Sequence, residues 1–300
     1  MLALRDHLKL HAVVLAWGLT AIIGRLIALP AFEVVVLRTA LSMVGLYVLA
    51  RTLNVSLRLH SRTTLGLLAT GVLIGLHWIL FFAAGKVANA TIAVAGLPTT
   101  MVWTSLFQWA LYKKRPRWYE VLLGAAMAPA LWLILRFEVR YSEGFLLSIA
   151  AAVVGSLFAA LNGQLAQRHH FAAIAFYQMA GGFGVSALLL PLFETPIFPT
   201  LPDFCWLLVL SLVCTVYAYT AYVELLRRLS VFTINLVYNL EPVYSIALAA
   251  LFLQEHRDLS PQFYLGTALI VASVLAYPFI QRREKPPDTA ALASRDPLGF

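Results

Sequence analysis

The sequence predicts an all-α integral membrane protein of ten transmembrane helices, arranged as two inverted five-helix repeats. Three observations predict it. The 300-residue chain is 61% hydrophobic and only 12% charged, against about 45–50% apolar and about 25% charged for soluble domains. Its apolar residues fall in runs near the roughly 20 residues that cross a bilayer as a helix. The two halves of the chain also resemble each other in register.

Cutting the chain at its charged clusters places spans at residues 10–29, 33–50, 63–85, 87–112, 118–137, 144–167, 171–193, 204–226, 229–253 and 260–280. The connections are too short to form a soluble domain. The first span has the charged start and apolar stretch of a signal peptide. Its length, Trp17 and the lack of a small-residue cleavage site predict a retained helix instead. Cys205 and Cys214 lie nine residues apart in the eighth span, two and a half turns, which disfavours a disulfide. The expected organisation is a first repeat over residues 1–140, a second over 141–281, and a tail at 282–300. The tail is polar and Pro-rich, a composition that predicts disorder.

Lys and Arg alternate between the two sets of loops. Sixteen lie on one side, at positions 5, 9, 51, 58, 62, 113–115, 117, 168, 227, 228, 282, 283, 285 and 295. Five lie on the other: Arg25, Lys86, Arg136, Arg140 and Arg257. The acids Glu33, Glu138, Glu143, Glu194, Asp203, Glu255 and Asp258 all fall on the sparse side. This bias predicts that both termini face the cytoplasm. The net charge of +8 does not indicate nucleic acid, because no continuous basic face exists outside the apolar spans.

The internal repeat rests on three pairings. "AFEVVVLRTALSMVG" pairs with "HFAAIAFYQMAGGFG", setting Phe32 against Phe171 and Arg38 against Tyr177. "AVAGLPTTMVWTSLFQWAL" pairs with "NLVYNLEPVYSIALAAL", setting Pro98 against Pro242. "RWYEVLLGAAMA" pairs with "SPQFYLGTALIV", setting Gly124 against Gly266. The offsets stay between 139 and 144 residues, so each repeat holds five spans. An odd number of spans inverts the second half. Inverted repeats are a frequent basis of alternating-access transport, with the substrate site near the midplane between the halves.

The same residues carry a family resemblance. "VLRTALSM" and "SVFTINLVYNLEPVYSIALAALFLQEHRDLSPQFYLGTALIVAS" are similar to the drug/metabolite transporter superfamily, in its ten-helix EamA-type branch, over roughly residues 8–280. Glu255 and Gly266 fit the branch's helix-ending glutamate and Gly-containing last span. The first half departs from it, reading "GLPTT" and ending in "KKRPRW". The resemblance implies export or exchange of a small organic solute, typically an amino acid or related metabolite, across a bacterial inner membrane. It implies no organic cofactor and leaves monomer and homodimer both open.

Polar residues inside the spans are the candidate site. A charge at mid-membrane costs about 2.5–3.5 kcal/mol on insertion scales, so it should face a cavity or a partner. Glu241 and Pro242 sit mid-span, where the proline frees a backbone carbonyl and the helix should kink or open. Tyr238, Glu241, Tyr244 and Ser245 share one helical face. Two readings stand: a cavity site for a substrate amine or an exchanging proton, and an interhelical staple. Arg38 has three: snorkelling to the interface, binding a substrate carboxylate, or pairing with another span's acid. His77 reads as a packing residue or a ligand. Trp78, Trp103 and Tyr217 would suit a flat solute if they line the cavity. Asn239, Asn235, Asn162 and Gln164 read as interhelical hydrogen-bonding residues, Glu224 as a partner of Arg228, and "GGFG" as close helix packing.

No phosphate-cradling loop GxxxxGK[ST] occurs, and the His residues lack metal-ligand spacing. Two other classes remain as alternatives, a membrane-embedded lipid-modifying enzyme and a non-transporting sensor. The first would need a clustered acid, base or metal constellation. Only isolated polar residues occur.

Overall fold

The computed structural model describes residues 2–113, 115–193, 198–226, 229 and 237–282. Glu194, Arg227, Arg228, Asn235 and the tail from 283 lie outside this set, as do the side chains of Asn162 and Gln164. Every regular element among the described residues is helical. The first four are α1 Leu2–Leu26, α2 Ala31–Thr52, α3 Ser61–Val87 and α4 Ala90–Ala95. A 3-10 turn, Leu97–Thr99, joins α4 to α5 Thr100–Tyr112. Next come α6 Trp118–Phe137, α7 Ser142–Arg168 and α8 Phe171–Phe193. α9 Leu201–Leu208 runs through a π-helical stretch, Val209–Tyr217, into α10 Ala218–Leu226. α11 Glu241–Leu248 continues as π-helix over Ala249–Leu253, and α12 is Pro261–Arg282.

Among the described residues, eight helical stretches are long and apolar enough to cross a membrane, from Leu4–Leu26 to Leu201–Tyr222. They coincide with the first eight expected spans. Two further apolar helices, Glu241–Leu253 and Pro261–Tyr277, are shorter. Both cysteines are free.

Two expected spans are broken. The fourth gives way at Gly96–Pro98, and hydroxyls take up the released backbone groups. Ser148 on α7 accepts from the Gly96 N–H at 3.1 Å and donates to the Ala93 carbonyl at 2.6 Å. Thr99 donates to the Gly96 carbonyl and Thr100 to that of Leu97. A Cβ on Gly96 would come within 2.7 Å of the Ser148 hydroxyl, so glycine is required there. In the ninth span the chain turns at Asn239–Leu240 and α11 begins at Glu241. Pro242 therefore occupies the first helical turn, where its missing N–H costs nothing.

The connections at the Lys/Arg-sparse end are tied together by side chain–backbone bonds. Asp203, in the first turn of α9, accepts from the Ala28 N–H at 2.8 Å. Lys86 donates to the Ile27 carbonyl. Glu255 accepts from the Ala90 and Thr91 N–H groups at 2.9 and 2.8 Å and from the Thr91 hydroxyl at 2.7 Å. Glu138 accepts from the Ser260 N–H at 2.6 Å, and Arg140 donates to the Asp258 carbonyl. The result is a belt running from the start of α9 through the α1–α2, α3–α4 and α11–α12 connections to that of α6–α7. Near the opposite end Lys9 pairs with Glu224 at 2.5 Å; Arg228, the partner expected for Glu224, lies outside the described residues.

α3 packs on α7 and α8, α2 on α8 and the π-helical stretch, α1 on α10 and α11, and α6 on α12. Glycines set the α3–α8 approach: a Cβ on Gly71 would overlap the Gln178 carbonyl, and one on Gly181 the Leu68 carbonyl. Gly184, one turn on, has open space around it. Gly181→Ala should destabilise the protein by about 1–3 kcal/mol through overpacking. Gly184→Ala should be neutral or slightly stabilising. Thermal unfolding of both variants in detergent would check the contrast. Glu255→Gln, which keeps the shape but loses the charge-assisted capping, should cost about 1–3 kcal/mol in the same assay.

Candidate functional site

The interior polar residues form two groups around α1. The first gathers on α11 and its lead-in. Trp17 of α1 packs against Tyr222, with ring centroids 5.3 Å apart, and edge-on against Tyr238 at 5.7 Å. Glu241 follows Tyr238 by three residues, half-buried at the first position of α11. Its carboxylate makes no hydrogen bond or ion pair among the described residues. Tyr244 and Ser245 are committed to α1: the Tyr244 hydroxyl and His11 Nδ1 share a hydrogen bond at 2.6 Å, and Ser245 donates to the Gly18 carbonyl at 3.0 Å. Asn239 donates to the Val274 carbonyl of α12 at 3.5 Å.

The second group centres on Arg38. Its side chain is only 3% exposed, which removes the snorkelling reading. The guanidinium lies over the Trp78 ring at 3.8 Å from the centroid, with Phe82 at 5.8 Å. Nε donates to the Thr215 hydroxyl at 3.1 Å. Thr215 sits in the π-helical stretch and donates to the Leu210 carbonyl, five residues back, at 2.9 Å. One turn earlier, Ser211 donates to the Arg38 carbonyl at 3.2 Å. Arg38 is thus held at both backbone and side chain by one face of the π-helix. π-Helical turns recur at functional sites.

The remaining candidates are dispersed. His77 Nδ1 donates to the Ala151 carbonyl of α7 at 2.7 Å. Its ring stacks near Phe81, with centroids 6.4 Å apart. Trp103 donates to the Thr99 hydroxyl at 3.2 Å, within the α4–α5 break. Tyr217 ends the π-helical stretch, half exposed. The structure therefore brings Tyr238 and Glu241 together, and Arg38 with Trp78, with His77 linked to the Arg38 group through Phe81 and Phe82; Trp103 and Tyr217 show no contact with either group among the described residues.

Sequence reasoning passed over Trp17, Tyr222 and Thr215 as site residues. Trp17 and Tyr222 look like ordinary aromatics in apolar helices, and only their convergence on Tyr238 marks them. Thr215 has no signal at all without the π-helical geometry that turns it towards α2. Thr215→Val should leave a second buried guanidinium donor unpaired and lower stability by about 1–3 kcal/mol. In an Arg38→Met background the same change should cost little, a coupling that a double-mutant cycle in SDS-driven unfolding would measure.

Comparison with known proteins gives three results. The EamA-like transporter family matches the chain twice, over residues 7–136 and 142–289. No curated protein matches. A solved structure described only as "Crystal structure of protein" is similar in fold, with a TM-score of 0.64 and 22% identity, covering 93% of this chain and 99% of that one.

Proposed function

Because the chain belongs to the EamA-like transporter family, we propose that it is a secondary transporter moving a small organic solute by alternating access between two inverted five-helix halves. Helix packing supports the halves. Inversion about an in-plane axis exchanges spans one to five with six to ten. The packing of α3 on α8 then corresponds to that of α2 on the π-helical stretch, and α3 on α7 to α1 on α10. α2 with α8, and α6 with α12, would be pairs of matched spans. The ten spans, both termini in the cytoplasm, and residence in a bacterial inner membrane belong to the same reading.

The observation that carries the function is Glu241. A carboxylate in an apolar bundle, beside a helix break and an aromatic cluster of Trp17, Tyr222 and Tyr238, is costly unless something pairs with it. No protein group among the described residues does. The role that fits is binding a substrate amine or exchanging a proton, with an amino acid or related metabolite as the solute. The belt at the sparse end would close that side of the bundle, and opening there would release the caps on α4 and α12.

Uptake into proteoliposomes of a labelled amino-acid panel, with and without a pH gradient, tests the reading. Selective uptake by the wild type is expected. Glu241→Gln should stay folded and lose about tenfold or more of flux, or lose its pH dependence. Normal flux with an unchanged pH profile in that variant would leave Glu241 a structural residue.

A further inference from the structure

We propose that Arg38 is an anion subsite that takes the carboxylate of the transported solute; this rests on the transporter reading above. The guanidinium is almost fully buried, and no carboxylate forms an ion pair with it among the described residues. Glu33, the acid nearest in sequence, is buried five residues away and does not pair with it. The protein supplies contacts that position the group without neutralising it. Trp78 and Phe82 cover its faces, and the Thr215 hydroxyl takes Nε. Nη1 is buried with no partner.

A cation left unmatched in an apolar interior is destabilising by several kcal/mol. The surrounding bonds show that its position is specified: Ser211 holds its carbonyl and Thr215 its side chain. The donors left over lie at the end of the guanidinium fork. That edge matches the two oxygens of a carboxylate, which accept paired, parallel N–H bonds. Trp78, whose ring lies 3.8 Å from the cation, would also border an apolar or aromatic portion of the same solute. The ligand class is therefore a monocarboxylate with an apolar body.

The test uses the purified full-length chain in detergent, with tryptophan fluorescence and thermal midpoint as readouts. The probes are acetate, 4-methylpentanoate and phenylacetate, each against its neutral amide, with chloride as an inorganic anion. The larger carboxylates should bind and raise the midpoint, while amides and chloride should not. Arg38→Gln should weaken carboxylate binding about 10- to 100-fold. Arg38→Lys should fall between, since it keeps the charge and loses the fork; it carries the test if Arg38→Gln does not fold. The proposal is overturned if amides bind as well as acids, if chloride protects equally, if both variants bind like wild type, or if none of the carboxylates binds. Flux assays separate the two readings. Carboxylate binding without any flux would sink the transporter and keep the subsite. Flux that treats acid and amide alike would do the reverse.

Discussion

Inside a bilayer every backbone N–H and C=O must find a partner within the protein, because no water is at hand. That constraint explains the helical content of the described chain and, more usefully, the residues at its interruptions. At Gly96–Pro98 the helix opens and three hydroxyls close the account of free backbone groups, Ser148 from α7 and Thr99 and Thr100 from the break itself. At the sparse end, buried carboxylates do the same work for helix N-termini. Glu255 serves α4 and Glu138 serves α12. Carboxylates suit these positions because N-terminal N–H groups are orphaned and the helix dipole favours negative charge there.

The same constraint ties the two sequence halves together. Glu255 lies 165 residues from Ala90, and Asp203 lies 175 from Ala28. Each bond satisfies a local need in one half with a side chain from the other. Close packing then follows where side chains are absent, as Gly71, Gly75, Gly181 and Gly182 bring α3 and α8 together at backbone distance. Small-residue contacts of this kind are how helices associate without a hydrophobic driving force.

Composition, span positions and loop charges could be read from the sequence because each is a property of one segment in its solvent. The first eight spans fall where the apolar runs predict them for that reason. Partners could not be read. "EHRDLS" suggested a helix-ending glutamate, but nothing in the letters pointed to Ala90 and Thr91 as what it caps. The break at Gly96 was hidden for a related reason: "AVAGLPTT" remains apolar, and Ser148, which supports the break, is 52 residues away. Arg38 stood out as a charge in a span, yet only its burial in the fold removes the snorkelling reading. Glu224 likewise has a partner that no local pattern offered, Lys9 of α1, 215 residues away.

A buried polar residue in such a protein is informative in proportion to what remains after structural needs are met. Glu255, Asp203 and Glu138 are acids in a membrane bundle, and each accepts a backbone bond. Their presence is accounted for by folding alone. Ser148 and Thr99 are likewise taken up. The two helix breaks that the proposed repeat would match differ in this respect. The one at Pro98 is sealed by hydroxyls and carries no charge. The one at Pro242 carries Glu241, whose carboxylate no described group engages. Arg38 leaves an equivalent remainder of opposite sign on α2, fixed in place and unneutralised. On the proposed reading folding alone accounts for neither remainder, since a neutral side chain of similar size would remove the cost. A charge that is held rigidly and left unpaired is best explained by a partner that comes and goes.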